Sequence, residues 1–413
     1  METIQKNPAT IPSLLTPFSL EVAEELLQVY GFPLYVYDSN ILKNTISHIT
    51  NSINYPRTKF YFASVTNGNI SLLKFFKDAG WGLHANTPGD VFLGLKSGFY
   101  PSEIVYSGSN LNQEDISQLL DWGITTFNLD SISQLQLFSQ VLLSHPQTQS
   151  HRENLGENLR IGLRLNVSQD SRIGVSIKDF QEAIDIASLA GLKITGLHFY
   201  RGTGTNATAA FTNVIDQVIS IAENLPHWQY LDFGGGFGYP YHRDQISFNW
   251  HIFGDELTAR LNKLPINVDL IIEPGRAAVA GCGTLLVQVV SIKWQGDKQI
   301  VGVNSTVANI SVPAVHGGYR EVVTWKNSTS ETYLTDVCGN TTYSRDYLAK
   351  NYQLPALQIG DIIAILDVGA YGYAMSSHFL HRPKPAEILL ENGSHRLIRK
   401  RENYNVLLNN QIV

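Results

Sequence analysis

The sequence predicts a (β/α)8 barrel followed by an antiparallel β domain to which the N-terminal segment contributes. Three observations predict it. Between residues 59 and 276, eight short apolar runs alternate with stretches of helical periodicity. After Arg276 the apolar runs continue, but helical periodicity almost vanishes. At 413 residues the chain has room for a large domain and a smaller one. Eight consecutive β-α units are the number that closes a barrel, with an open doubly wound sheet as the structural rival. The expected boundaries are 1–35 for an N-terminal segment packing with the β domain, 36–280 for the barrel and 281–413 for the β domain.

The N-terminal segment contains a helical stretch, SLEVAEELLQVYG, after which PLYVYD reads as a strand entering the barrel. The eight runs are KFYFAS, WGLHAN, EIVYSGS, TTFNLD, RIGLRLN, ITGLHFY, YLDFGGG and LIIEPGR. They are filled by β-branched, aromatic and leucine residues, and most end in Gly, Asn, Ser or Asp, as strands do. Between them, ISLLKFFKDAG and IKDFQEAIDIASLAG place apolar residues at three- and four-residue spacing. The polar segment 145–158 reads as a loop. Beyond Arg276, TLLVQVVSIKWQ, KQIVGVNS, YREVVTW, SETYLTDVCG, DIIAILDVG and AEILLENG read as strands with turn residues between them.

Apolar residues make up 43% and charged residues 16%, the balance of a soluble globular protein with a sizeable core. The formal charge of −6, with no basic run, argues against a nucleic-acid surface. Two cysteines, Cys282 and Cys338, do not make a disulfide framework and fit a reducing compartment. The first twenty residues lack the apolar core of a secretory signal, and no run is long enough to span a bilayer, so a cytoplasmic location away from membranes is expected. No metal site is expected.

Three motifs speak for a bound phosphate. Leu231-Asp-Phe-Gly-Gly-Gly-Phe-Gly238 follows a strand, and its glycines allow backbone N–H groups to turn toward an anion. Glu273-Pro-Gly-Arg276 ends the eighth run with a carboxylate and a guanidinium on a rigid turn. Gly369-Ala-Tyr-Gly-Tyr-Ala-Met-Ser376 adds tyrosines from the β domain. Each alone is weak, because a glycine run is more often a turn than a phosphate cradle. Together they fall where barrel enzymes bind phosphate, on the loops after the last two strands.

With these motifs the chain resembles the decarboxylase branch of the alanine-racemase-like, fold-type III group of pyridoxal-phosphate enzymes, which includes diaminopimelate and ornithine decarboxylases. The resemblance runs from GFPLYVYD through IVYSGSN, FNLDS, LDFGGGFG and EPGR to GAYGYAMSS and RPKPAE. It implies a pyridoxal 5'-phosphate cofactor and a homodimer with shared active sites. It implies Gly234, Gly235, Gly236, Gly275 and Arg276 as phosphate ligands, with Tyr371 and Thr203 adding hydroxyls. Glu273 would face the pyridine nitrogen, Tyr200 would stack on the ring in place of the usual histidine, and Arg164 would brace the site.

The chain also departs from the pattern. Aligned back from SLLKFF, the family's Schiff-base lysine falls on Val65, and its acidic neighbour on His84. Loss of the lysine alone would strand a buried carboxylate, so the paired change supports this alignment. The loop that carries a catalytic cysteine and an acid in the family has Thr342 and Tyr343 in those places. Cys338 lies four residues early and reads as a small core residue. The residue that grips diaminopimelate's far carboxylate corresponds to Val312. No other lysine serves: Lys59 precedes Val65 by six residues, ~20 Å at ~3.3 Å per residue, at the wrong end of its strand.

These features imply a cofactor held non-covalently, without an internal aldimine. The favoured function is a divergent enzyme acting on an amino acid or amine. His84 would be its general acid–base, as imidazole titrates near neutrality, and Thr342 and Tyr343 would come from a second subunit. Strand alternation turns His198 toward the barrel interior as well. One rival is a non-catalytic cofactor-binding relative; another is an enzyme using the phosphate pocket without pyridoxal.

Overall fold

The first strand, β1 (Leu34–Asp38), does not enter the barrel. It pairs antiparallel with β10 (Gly283–Gln295) and parallel with β16 (Ala386–Glu391), so it belongs to the sheet of the second half of the chain. Its buried Tyr37 hydroxyl donates to Glu387 at 2.7 Å, a cross-strand bond that apolar patterning cannot foretell. The computed structural model describes residues 16–144, 159–167, 171–202, 204–326 and 331–412. The loop expected at 145–158 and the predicted ligand Thr203 lie outside these residues. Among the described residues no helix is long and apolar enough to cross a membrane.

The eight predicted runs form a closed parallel barrel of β2 (Thr58–Ala63), β3 (Gly82–Ala85), β4 (Ile104–Tyr106), β5 (Thr126–Leu129), β6 (Arg160–Arg164), β7 (Ile194–His198), β8 (Tyr230–Asp232) and β9 (Asp269–Ile272). Helices follow in turn, among them Ile70–Asp78, whose N-cap Asn69 accepts from the Ser71 N–H, and Pro88–Lys96, opened by a Thr87/Asp90 capping box. The barrel interior is filled by Tyr61, Val105, Tyr230 and Ile271. Tyr230 lies across its neighbours because they are glycines: a Cβ on Gly196 would come within 2.0 Å of its ring, and one on Gly162 within 2.4 Å of its hydroxyl. Gly196→Ala should therefore overpack this layer and destabilise the protein by ~1–3 kcal/mol, read from urea denaturation.

The other unit gathers the described residues up to Asp38 with Gly283–Val368 and those from Met375 onward. Its sheet runs β14-β13-β11-β10-β1-β16-β17, with β11 (Lys298–Val303), β13 (Thr332–Cys338), β14 (Tyr347–Pro355) and β17 (Ser394–Arg399); β15 (Ile362–Ile365) pairs with β10 and with β12 (Val322–Thr324). The sheet is mixed rather than wholly antiparallel, because β1–β16 and β11–β13 are parallel pairs. Ala23, Leu26 and Leu27 of helix Leu20–Tyr30 pack on Leu34, Val36, Leu286 and Ile388 in its core.

Gly369–Ala374, expected in the β domain, clusters with the barrel. The Gly369 N–H donates to Ala280 O (3.0 Å), Asn67 Nδ2 to Gly369 O (3.0 Å) and the Tyr371 N–H to Thr66 O (2.9 Å).

Candidate functional site

Strand register assembles the site at the C-terminal ends of the barrel strands. Arg164 pairs with His198 and His198 with Asp232, so β6, β7 and β8 present these three residues side by side. His84 ends up opposite Ala63 on β2, and Glu273 directly follows β9. A cavity of about 280 Å³ is lined here by Val65, His84, Arg164, His198, Tyr200 and Glu273, with Gly235, Gly236, Gly275, Arg276 and Tyr371 on its wall. Gly234 stands behind the wall, donating its N–H to Asp232 Oδ1 (3.0 Å) and accepting from the Glu273 N–H (2.8 Å).

The glycines are there for space. Gly234 and Gly236 have φ of 66° and 96°, and a Cβ on Gly236 would lie 2.3 Å from Gly202 O. A Cβ on Gly235 would lie 2.6 Å from Glu273 O, and one on Gly275 2.7 Å from Thr66 Cγ2. No backbone carbonyl among the described residues takes the N–H of Gly235 or Gly236. The Arg276 guanidinium stacks on Tyr371 at 5.2 Å and on Tyr241 at 5.8 Å, and a Cβ on Gly204 would come within 3.3 Å of it.

Beneath the cavity sits a buried polar cluster. Glu273 Oε1 lies 3.4 Å from His84 Nε2, and Oε2 lies 3.5 Å from His198 Nε2, distances at which neither contact is aligned as a hydrogen bond. Burial pushes the Glu273 carboxyl up to about 7; burial and the Glu273 charge push that of Asp232 well above its usual range, and the two carboxyls are hydrogen-bonded to each other. Asp232 also accepts from Asn128 Nδ2 (2.8 Å), and Asn128 Oδ1 accepts from the Tyr230 hydroxyl (2.9 Å). Burial depresses His198 to about 4; burial, with His198 and Arg164 close by, holds His84 well below 6.5. The expectation that His84 titrates near neutrality is therefore corrected. It is held neutral, an acceptor rather than a donor of protons.

This cluster makes stability depend on pH in two opposed ways. From about 4.5 to about 7 the folded chain keeps a proton on Glu273 that the unfolded chain releases, so stability falls as pH rises. From about 4 to 6.5 the unfolded chain holds a proton that His198 refuses in the fold, so stability rises with pH. Glu273→Gln removes the Glu273 proton and, with the Glu273 charge gone, part of the upward push on Asp232, so both changes weaken the fall in stability with pH. In ligand-free protein, its unfolding free energy relative to wild type should gain up to about 3 kcal/mol between pH 5 and pH 8, by urea denaturation at each pH.

Thr342 and Tyr343 fall in the sheet unit, on a loop anchored by buried Asp346, which accepts from the Val307 N–H (2.7 Å) and the Thr341 N–H (3.1 Å). Thr342 is exposed, and the Tyr343 ring meets Phe379 edge-on at 5.4 Å. Val312 is buried, and burial pushes the Cys338 thiol up to about 11, which leaves it unreactive. Asp232, Asn128 and Tyr241 were missed by sequence reasoning. The one available signal was Asp232, a carboxylate inside an otherwise apolar run just before the glycines.

Residues 42–280 match the family model described as "Pyridoxal-dependent decarboxylase, pyridoxal binding domain". The chain belongs to this family. The diaminopimelate decarboxylase of Aquifex aeolicus is 30% identical over 403 residues, 93% of each chain. That of Methanothermobacter thermautotrophicus is 28% identical over 417 residues, covering 95% of this chain and 94% of its own. A diaminopimelate decarboxylase structure from Helicobacter pylori, in complex with L-lysine, superposes with a TM-score of 0.85 at 27% identity, covering 94% of this chain and 98% of its own. The barrel-plus-sheet architecture is thus the family's own.

The family implies pyridoxal phosphate as cofactor. The residues fit its anionic and ring ends: glycines that no Cβ could replace, the Arg276 guanidinium, and Glu273 Oε1, buried without a hydrogen-bond partner. No lysine lines the cavity among the described residues, and Val65 does.

Proposed function

We propose that the protein binds pyridoxal phosphate without a covalent bond to the chain and acts on an amino acid or amine. The observation that carries this reading is one cavity that holds the glycine loop, the buried acid and a half-exposed Val65, with no lysine on its wall among the described residues. The bound cofactor would supply a ring that draws negative charge away from the carbon bearing the substrate's amine.

The chain's own residues then have separable tasks. Gly235, Gly236, Gly275 and Arg276 would hold the phosphate, with the Tyr371 ring against the Arg276 guanidinium. Glu273 would face the ring nitrogen and, ionised there, would favour its protonated form. The Tyr200 ring offers a face for stacking, with the Arg164 guanidinium 5.2 Å from its centroid. Neutral His84, both of whose nitrogens lack hydrogen-bond partners, accepts the proton that the substrate gives up. Thr342 and Tyr343 of a second subunit would shape the substrate end in a homodimer.

The deciding experiment is the absorption spectrum of the purified protein on titration with pyridoxal phosphate, followed by borohydride reduction and intact mass. Saturable binding with no mass increase is the expected result. A covalent adduct on the wild-type chain would refute non-covalent binding, and failure to bind would refute the cofactor reading. Binding without turnover of any amino acid or amine would leave a cofactor-holding, non-catalytic protein.

A further inference from the structure

The chemistry proposed for the cavity gives no task to His198 or Asp232, yet both are buried polar residues beneath it, 1% and 0% exposed. They end β7 and β8 side by side, and Glu273 follows β9, so three neighbouring strands bring one donor each to a common point. One donor atom of each residue lies within 4.8 Å of the other two. Neither ring nitrogen of His198 has a hydrogen-bond partner among the described residues, although Nε2 stands 3.5 Å from Glu273 Oε2. A buried nitrogen left in this way is costly unless an ion or a water meets it. Asp232 is held firmly instead. Its Oδ1 accepts from the Gly234 N–H (3.0 Å) and its Oδ2 from Asn128 Nδ2 (2.8 Å). Contacts of this kind orient a ligating carboxylate and leave each oxygen a second lone pair.

We propose that His198, Asp232 and Glu273 form a binding site for a divalent transition-metal ion of the zinc class, held by one imidazole nitrogen and two carboxylate oxygens. Zinc bonds such donors at ~2.0–2.2 Å, which sets tetrahedral donors ~3.4 Å apart. The His198–Glu273 separation is of that size and longer than an ordinary N–H···O bond. Asp232, hydrogen-bonded to Glu273, brings the third donor equally close. A nitrogen with two oxygens suits zinc or manganese rather than the ions that select sulfur, and three protein donors leave a coordination position open. His198 and Glu273 line the cavity, which gives the ion a way in. The ion also balances two carboxylates enclosed together. With Oε2 on the metal, Glu273 Oε1 still faces the cavity side near His84, so the site adds to the cofactor reading and does not depend on it.

The test titrates Zn2+ calorimetrically into chelator-treated protein free of pyridoxal phosphate. Wild type should take up one equivalent. Asp232→Asn and His198→Gln should each weaken that uptake by more than the ~10–100-fold that changes to outer contacts cost. The exposed pair His48 and His251, with ring centroids 5.6 Å apart, is the rival location, and His251→Gln should leave binding unchanged. No stoichiometric uptake, uptake undiminished in Asp232→Asn and His198→Gln, or loss of uptake in His251→Gln would each overturn the assignment. Should both ligand variants fail to fold, the visible spectrum of Co2+ added to His251→Gln decides. The intense band of a four- or five-coordinate ion supports the site, and the faint band of the hydrated ion overturns it. With no cofactor in these samples, failure here leaves the pyridoxal reading standing, and failure of cofactor uptake leaves the metal site standing.

Discussion

In the Val65→Lys variant, bound pyridoxal phosphate is expected to become fixed to the protein by borohydride, near-stoichiometrically, where the wild type shows no fixation. Val65 sits on the single turn Ser64–Thr66 that leaves β2, with 43% of its surface exposed and its side chain on the cavity wall. That turn does not depend on the valine. It is held by Ser64 Oγ donating to His84 O (3.1 Å) and Asp90 Oδ1 (3.0 Å), by Thr66 Oγ1 donating to Ala63 O (2.8 Å), and by the Asn67 N–H donating to Ser64 O (3.0 Å). A lysine placed there shares the cavity with the Arg164 cation, neutral imidazoles and the Glu273 carboxyl, which burial pushes toward its neutral form. Its ammonium pKa should fall, raising the fraction of nucleophilic amine. Intact mass after reduction reads the outcome directly. A variant that binds the cofactor yet gains no mass would show that residue 65 does not stand at the aldehyde. Activity is a separate readout: a fixed but inert variant would place the functional difference in His84, Thr342 or Tyr343 rather than in the missing anchor.

The elements that were legible in the sequence are those whose signal is local. The eight barrel strands announce themselves because each is a short apolar run closed by turn residues, and the glycine loop because only glycine tolerates backbone atoms at 2.3 to 2.6 Å from a would-be Cβ. What was not legible is set by partners distant in sequence. PLYVYD has the composition of a barrel strand; the Tyr37–Glu387 bond and the β10 and β16 pairings place it in the other sheet. Gly369–Ala374 sits between strand-like runs, and three hydrogen bonds to residues 66, 67 and 280 assign it to the barrel. Protonation is likewise a property of the assembled site. A histidine in GLHAN titrates near neutrality in a peptide, but enclosure beside His198 and Arg164 removes its charge. The same enclosure, with Glu273 beside it, pushes the Asp232 carboxyl, unremarked in an apolar run, well above its usual range.

Gly236→Ala should abolish cofactor binding within the accessible titration range, a loss of roughly a hundredfold or more if the cradle contributes several charge-assisted hydrogen bonds. Two costs coincide at this residue. Its φ of 96° is one that L side chains rarely adopt, and its Cβ would meet Gly202 O at 2.3 Å, backbone against backbone. No rotamer change relieves such a collision. Either Gly236 or the Gly202 carbonyl must move, and the two segments are tied by the Thr205 N–H donating to Gly236 O at 3.1 Å and the Gly238 N–H donating to Thr205 O at 2.9 Å. Displacement therefore carries the whole glycine loop away from Arg276, so that the N–H groups and the guanidinium no longer converge on one anion. Gly296→Ala separates the two costs: its φ of 60° is also positive, but no atom lies within 4 Å of its Cβ position. It should lower stability by ~1–2 kcal/mol with cofactor affinity unchanged. If Gly236→Ala titrates with pyridoxal phosphate as the wild type does, the glycine loop is a packing device, and the phosphate must be held by Arg276 and the turn that carries it.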